Sequence, residues 1–207
     1  MTNATTPTDA ELLRLIVAGN EPAFTALYRR HQGFVYRFAL MMSGAADLAE
    51  EVTQEVFLAL IRGANRYDPA RGAFAAYLCG MARNQVLRVL ARERPFVPLV
   101  HESGESEAAP LIQLIAREDQ FSDCTRNEIS RLVRQAVLAL PAHYREVVVL
   151  CDFQELSHAE AALALDCPAG TVNSRLRRGH ALLLKKLCLM NGSDSEAAKT
   201  QRTTCFA

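Results

Sequence analysis

The chain has 207 residues, of which half are hydrophobic, and its 23 basic and 23 acidic side chains give a net charge of zero. This length allows one large or two small domains, and no stretch approaches the roughly 18 uninterrupted apolar residues of a membrane span. The six cysteines show no C-x-x-C spacing, which argues against a zinc site or a disulfide framework, and the polar N-terminus lacks a signal-peptide pattern. We therefore expect a cytoplasmic protein without membrane insertion.

The charges are unevenly distributed along the chain. Residues 19–94 have a surplus of three basic side chains, residues 128–190 have a surplus of two, and residues 95–127 have an acidic surplus of four. Two mildly basic blocks joined by an acidic connector are compatible with a nucleic-acid-binding protein despite the neutral total.

The first block, after a polar tail at 1–18, predicts three helices. Apolar residues return at helical intervals after Pro22, namely Phe24, Leu27, Tyr28, Val35, Phe38 and Met42. In the second helix, which ends near Gly63, they repeat every four residues as Leu48, Val52, Val56 and Leu60. The third helix spans about 72–94 and ends in a basic run. Three helices of this length can bury a core as a bundle.

Residues 95–127 contain three prolines and the polar run ESGESEAA, and they predict a flexible linker. Two helices separated by Pro141 follow at 128–140 and 142–151. The last segment, 191–207, is polar and is expected to be disordered.

A helix-turn-helix is predicted at 157–187. Ser157 and Glu160 have the spacing of a capping box, and Pro168 suits the first turn of a second helix. At 100° per residue that helix has an apolar stripe, formed by Val172, Leu176, Leu183 and Leu187. Its other faces carry polar and basic residues, as expected of a recognition helix in a major groove. The alternative for this segment alone is an amphipathic surface helix with a solvated basic face.

Six motifs together extend this interpretation to the whole chain. The first block contains F-x-x-L-Y at 24–28, AEEVTQEVFLAL at 49–60 and FAAYLCGMARN at 74–84. The second contains ALPAHYREVVVL at 139–150, L-S-x-x-E-x-A at 156–162 and GTVNSRLRRG at 170–179. In this order the chain resembles bacterial sigma factors of the extracytoplasmic-function (ECF) group of the sigma-70 family. The resemblance implies an all-α fold with two small helical domains, region 2 (19–94) and region 4 (128–190).

The resemblance also implies partners and site residues. The partners are core RNA polymerase, through the β′ clamp helices and the β flap, promoter DNA and, in many members, an anti-sigma factor. The implied polymerase-binding residues are Asp47, Glu50, Glu51, Gln54, Glu55 and Phe57. Those implied for the −10 promoter element are Arg83, Asn84, Arg88 and Arg92. Those implied for the −35 element are Thr171, Asn173, Ser174, Arg175, Arg177, Arg178 and Lys185, with Arg145 as a further phosphate contact.

Two positions depart from the usual family pattern. Tyr77 stands where tryptophan is common, and Asn173 stands where a basic residue is frequent, so the −35 preference is expected to differ from that of better-known members.

Other classes of function are less favoured. The five histidines are dispersed, and no glycine-rich phosphate loop is present, so we expect neither an enzyme nor a cofactor or metal site. The remaining alternative is a stand-alone helix-turn-helix regulator that acts on DNA without core polymerase.

Overall fold

The computed structural model describes residues 7–93 and 124–203, and their side chains over 7–92 and 128–189. Within these ranges the chain is helical and contains no strand, which confirms the all-α prediction. No helix in this part of the chain is long and apolar enough to cross a membrane. The α-helices are α1 (Asp9–Val17), α2 (Glu21–Ser43), α3 (Ala46–Arg62), α4 (Phe74–Glu93), α5 (Cys124–Leu138), α6 (Ala142–Val148), α7 (His158–Leu165) and α8 (Ala169–Thr203).

The first block is a bundle of four helices centred on α2. Leu27 and Phe38 of α2 are fully buried, and α2 packs on α1, α3 and α4. The helix ends at Gly44, whose φ of 77° is a left-handed conformation that glycine adopts without strain. The predicted stripe on α3, one residue in every four from Leu48 to Leu60, is buried as expected.

Helix α1 lies where the sequence predicted an N-terminal tail. Its N-cap Thr8 and Glu11 form a capping box, and Leu12 and Leu13 are buried. A 2.6 Å hydrogen bond from Arg30 to Asp9 also joins α2 to α1. Because the T-x-x-E pattern precedes an apolar run, the signal for this helix was present in the sequence.

The second block follows the predicted order of elements. Helix α6 continues into a π-helical turn at Val149–Phe153. The Ser157 backbone N–H donates to Glu160 at 2.9 Å, and the Ser157 hydroxyl accepts from the Glu160 backbone N–H at 3.3 Å, which confirms the predicted capping box. Asp166, at φ 51°, ends α7 in the left-handed region, and α8 begins after Pro168.

The predicted linker and C-terminal tail lie partly outside the described residues. Residues 94–123 and 204–207 are not described, and α5 begins at Cys124, inside the range assigned to the linker. The backbone of α8 continues to Thr203, whereas we expected disorder from residue 191. Propagating an existing helix costs much less than nucleating one, and the segment SEAAK consists mainly of good helix formers.

The two blocks pack against each other. Helix α4 contacts α7, and α2 contacts α5, α6 and the π-helical turn. The buried apolar residues of both blocks form one continuous cluster. No local sequence pattern predicts this arrangement, because the residues involved are far apart in the chain.

Candidate nucleic-acid interface

Helix α8 presents a polar and basic face to solvent. Val172 and Leu176 are buried on its inner side, and Leu183 and Leu187 are half-buried. Of the residues predicted for the −35 element, Thr171 and Arg175 are half-buried, and the exposed ones are Asn173, Ser174, Arg177, Arg178 and Lys185. None of the ion pairs between described side chains involves these basic residues. Their charges are therefore available to a partner.

The base of α8 is held by close contacts with the rest of the second block. Helix α6 crosses α8 at Gly179, where an added Cβ would lie 2.9 Å from the Val148 side chain. His180 lies 2.7 Å from the Asp152 carboxylate in the π-helical turn. These contacts fix the orientation of the exposed face.

Arg145, predicted to contact phosphate, has a different environment. Its guanidinium donates to the backbone carbonyls of Met42, Leu138 and Leu140. Burial lowers the pKa of Arg145, and nearby Glu146 opposes the shift. A phosphate contact is incompatible with this conformation, because the guanidinium is already enclosed by protein carbonyls.

Helix α4 carries the residues predicted for the −10 element. Asn84, Arg88 and Arg92 are exposed, whereas Arg83 is half-buried. The Nε of Arg83 donates to the carboxylate of Glu146 at 2.9 Å, so this one arginine is engaged by the second block.

Aromatic rings gather at the N-terminal end of α4. Tyr67 lies with its ring centroid 5.0 Å from that of Phe74 and 5.5 Å from that of Tyr77. The Tyr67 hydroxyl donates to the Gly72 carbonyl at 3.0 Å. Burial, Asp9 and Asp68 all raise the pKa of Tyr67. Tyr77 thus has a packing role in this structure.

The predicted polymerase-binding residues lie on α3, with one exception. Five of them are exposed and form the acidic α3 surface, which consists of Asp47, Glu50, Glu51, Gln54 and Glu55. Phe57 is only 2% exposed, and its ring centroid lies 4.8 Å from that of Tyr28. The prediction of direct contact by Phe57 is therefore corrected, since its side chain belongs to the core in this structure.

The same helix exposes two apolar residues that the sequence-based site did not include. Leu58 is 43% and Ile61 46% exposed, and they follow Gln54 at helical spacings of four and three. Both residues lie outside the apolar stripe of α3 that is buried, and this position was the signal in the sequence that they are exposed. Next to the acidic α3 surface they add an apolar area of the kind that protein partners cover.

Glu51 and Glu55 border a cleft of about 150 Å³ that is shared with Arg88 and Arg92 of α4. The acidic and the basic predicted surfaces of the first block therefore adjoin each other. A protein partner on α3 and DNA on α4 can be neighbours without competing for the same side chains.

Comparisons with known proteins agree with this geometry. The family models for sigma-70 region 2 and sigma-70 region 4 match residues 27–96 and 130–183. The ECF RNA polymerase sigma factor SigM of Mycobacterium tuberculosis is 33% identical over 185 residues, covering 88% of this chain and 86% of the relative. SigW of Bacillus subtilis is 27% identical over 177 residues, covering 84% and 94%.

Solved structures give the same result. CnrH, in a complex with the cytosolic domain of CnrY, has a TM-score of 0.62 and 25% identity, over 90% of this chain and 98% of that one. The sigma factor RpoE of Bartonella quintana, in a complex with the anti-sigma factor NepR, shares the fold with a TM-score of 0.57 at 20% identity, over 79% and 96%. The chain belongs to the ECF group of the sigma-70 family of RNA polymerase sigma factors.

Proposed function

We propose that this sigma factor reads the −35 promoter element with the exposed face of α8 and the −10 element with α4, while the α3 surface binds core RNA polymerase. The observation that carries the proposal is the face of α8, whose exposed arginines have no acidic partner among the described side chains. The proposed units are region 2, residues 19–94 extended to include α1, and region 4, residues 128–190.

At the −35 element, α8 would lie in the major groove. An arginine paired bidentately with guanine contributes about 1–3 kcal/mol of discrimination, which fits Arg177 and Arg178. Thr171, Arg175 and Lys185 are assigned to phosphates or groove edges, where contacts add salt-dependent affinity without sequence choice. Asn173 offers an amide, which suits adenine better than guanine.

At the −10 element, α4 would act on opened DNA. Extracting a base from the stack costs a few kcal/mol and needs a compensating pocket. The exposed amide of Asn84 can hydrogen-bond a base edge, and Arg88 and Arg92 can hold the displaced backbone. The rings of Tyr67 and Tyr77 lie at the other end of the same helix and offer surfaces for stacking.

Core polymerase would cover α3. The acidic α3 surface provides charge complementarity to a basic partner, and Leu58 and Ile61 provide apolar contact area. The similar RpoE is bound to the anti-sigma factor NepR, and the similar CnrH is bound to the cytosolic domain of CnrY, which supports an anti-sigma partner for this chain as well. The proposed role is non-catalytic, cytoplasmic and without a cofactor.

The test is transcription from a fragmented genomic template library with purified chain and bacterial core polymerase. Specific initiation that requires both components is expected, and the start sites would reveal the −35 and −10 sequences. Tight operator binding without core, and no initiation with it, would support the stand-alone regulator instead.

The polymerase surface needs a separate variant. Glu51→Lys with Glu55→Lys should weaken core binding at least tenfold, whereas Glu155→Lys, an exposed charge in the second block, should leave it unchanged. Equal core affinity for both variants would refute the assignment of α3.

A further inference from the structure

A histidine lies on the exposed face of α8 that carries the proposed −35 contacts. The side chain of His180 is 46% exposed. At 100° per residue it falls within about 60° of Asn173 and Arg177 around the helix, and it follows Arg177 by about 4.5 Å along the helix axis. His180 therefore shares the face of the proposed base-reading residues, one turn further from the start of α8.

The imidazole of His180 is paired with one carboxylate. Its Nε2 lies 2.7 Å from Oδ2 of Asp152 in the π-helical turn, and the Asp152 side chain is 39% exposed. An ionised carboxylate only accepts hydrogen bonds, so Nε2 carries the hydrogen in this contact. Nδ1 is then an acceptor when the imidazole is neutral and a donor when it is protonated.

The net charge of the pair depends on that second proton. With a neutral imidazole the pair has a charge of −1, which comes from Asp152 and repels a DNA phosphate. With a protonated imidazole the pair is neutral, and Nδ1–H can donate to a phosphate oxygen. Histidine is the side chain whose ordinary charge change falls between pH 5 and 8. Both differences favour DNA binding by the protonated form.

Asp152 is the only described side chain that forms an ion pair with His180. Helices α5, α6 and α7 also pack on α8. The other charged or titratable side chains described on these helices and on the π-helical turn are Glu128, Arg131, Arg134, His143, Tyr144, Arg145, Glu146, Cys151, His158 and Glu160. The protonation of His180 is therefore coupled most directly to Asp152.

A second histidine lies near α8 on the side of Arg175. Burial and then the charge of Arg175 lower the pKa of His143, and Glu146 opposes the shift. His143 thus takes up its proton at a lower pH than an unperturbed histidine does. Its contribution between pH 6 and pH 8 is correspondingly small.

We propose that His180 is a further DNA-contacting residue of this sigma factor, and that its pairing with Asp152 makes binding of the −35 element proton-linked. The protonated imidazole holds a backbone phosphate, so the contact adds affinity without sequence choice. Because linkage is reciprocal, DNA that binds the protonated form better also favours protonation of His180. The proposal rests on the proposed assignment of α8 to the −35 element.

The test measures promoter binding by the complete sigma chain assembled with core polymerase. The Kd for a promoter from the initiation library is measured by fluorescence anisotropy at pH 6 and pH 8 at constant ionic strength. His180→Arg has a cation at both pH values, whereas His180→Gln has none and can still donate to Asp152. Both replacements are better helix formers than histidine, so α8 should be retained, which circular dichroism would verify.

The readout is the ratio of the wild-type Kd to that of each variant, because the ratio cancels the pH dependence of polymerase itself. Relative to His180→Arg, the wild-type Kd should rise about three- to fivefold from pH 6 to pH 8, the effect of about one charge contact in water. Relative to His180→Gln, the wild type should bind more tightly at pH 6 and equally at pH 8.

Asp152→Asn distinguishes the charge of the pair from a role in orienting α8. Asparagine keeps an oxygen that accepts from Nε2 but removes the negative charge, so this variant should bind at pH 8 at least as tightly as the wild type. A purely orienting role predicts weaker binding. Glu155→Gln, which removes an exposed carboxylate three residues away without altering the pair, should give the same ratio to the wild type at both pH values.

Two outcomes separate this proposal from the proposed function. If a scrambled −35 element weakens wild-type binding but the ratio to His180→Arg is the same at pH 6 and pH 8, the role of His180 is refuted and the reading of the −35 element by α8 is retained. If scrambling the −35 element leaves the affinity unchanged, the assignment of α8 is refuted, and the role of His180 with it.

Discussion

Helices α4 and α8 both carry arginines on one face, yet they lie in different surroundings. On α8 the arginines at 177 and 178 are exposed and have no acidic partner among the described side chains. On α4 the first arginine, Arg83, is held by a carboxylate from the other block, and only the residues beyond it are open to solvent. The same sequence signal thus yields one available basic face and one that is partly engaged, because a basic pattern specifies charge and does not specify what packs against it.

The largest effect on initiation is expected from variants of α8. Arg177→Ala or Arg178→Ala should reduce initiation from a promoter with the cognate −35 element by about 5- to 150-fold, because a bidentate arginine–guanine pair contributes about 1–3 kcal/mol. Run-off transcription and a separate core-binding assay would measure this, with Arg131→Ala on α5 as the control. Loss of core binding in either α8 variant would contradict the assignment.

A smaller and kinetically distinct effect is expected on α4. Asn84→Ala should slow promoter opening about tenfold while leaving the initial closed complex nearly unchanged, because a base is unstacked only during opening. Stopped-flow fluorescence of a base analogue in the −10 element would separate the two steps, with Gln135→Ala as the control. Equal losses in both steps would place α4 with α8 as a reader of duplex DNA.

Variants that remove the two capping boxes test how much each box stabilises its own block. Ser157→Ala should lower the free energy of unfolding of the second block by about 1 kcal/mol, whereas Thr8→Ala should act on the first block. Urea unfolding followed by circular dichroism would measure both. An unchanged unfolding midpoint for Ser157→Ala would show that the α7 cap adds nothing to the stability of its block.

The loss of stability caused by Ser157→Ala should also depend on pH. Hydrogen bonds from the Ser157 hydroxyl and backbone N–H lower the pKa of Glu160 below 4.5, so this contribution is present above the unfolded pKa and is lost as pH falls through the folded one. The difference in the free energy of unfolding between wild type and Ser157→Ala should become smaller at low pH. A difference that became larger there would contradict the interpretation.

The smallest expected effect is on the reactivity of a thiol on the buried side of α4. Burial raises the pKa of Cys79 to about 12, so this thiol should resist iodoacetamide at pH 8 in the folded chain, while the exposed Cys188 of α8 reacts. Mass spectrometry of the alkylated protein would compare them. Equal rates would contradict the burial of the Cys79 thiol.

Much of the fold was predictable because its signals are local. The repeat of apolar residues on α3, the Ser157–Glu160 capping box and Pro168 each act within one or two turns of helix. The helix α1 was missed although Thr8 and Glu11 carried the same capping signal. The site was predictable to the extent that it consists of exposed side chains on these helices.

Two predicted site residues lie in surroundings that the sequence did not indicate. Phe57 matches a motif whose neighbours are exposed, but its ring packs on Tyr28, and no local rule distinguishes the two outcomes. Arg145 was chosen for its charge, whereas its guanidinium binds three carbonyls. Tyr28 and Met42 lie far along the chain from Phe57 and Arg145, whereas the Leu138 and Leu140 carbonyls are within seven residues of Arg145.

The sequence by itself determined the helices, the order of the two blocks, the family and the basic faces, because helical periodicity, capping and charge are properties of short segments. Only the tertiary structure decided which of those charges are available. The pairing of Arg83 with Glu146 and the approach of Gly80 to Ala164 depend on contacts between residues 63 and 84 positions apart. Such contacts form between two surfaces that belong to distant segments of the chain. The pattern of residues within one segment therefore does not predict which residues of the other segment it will contact.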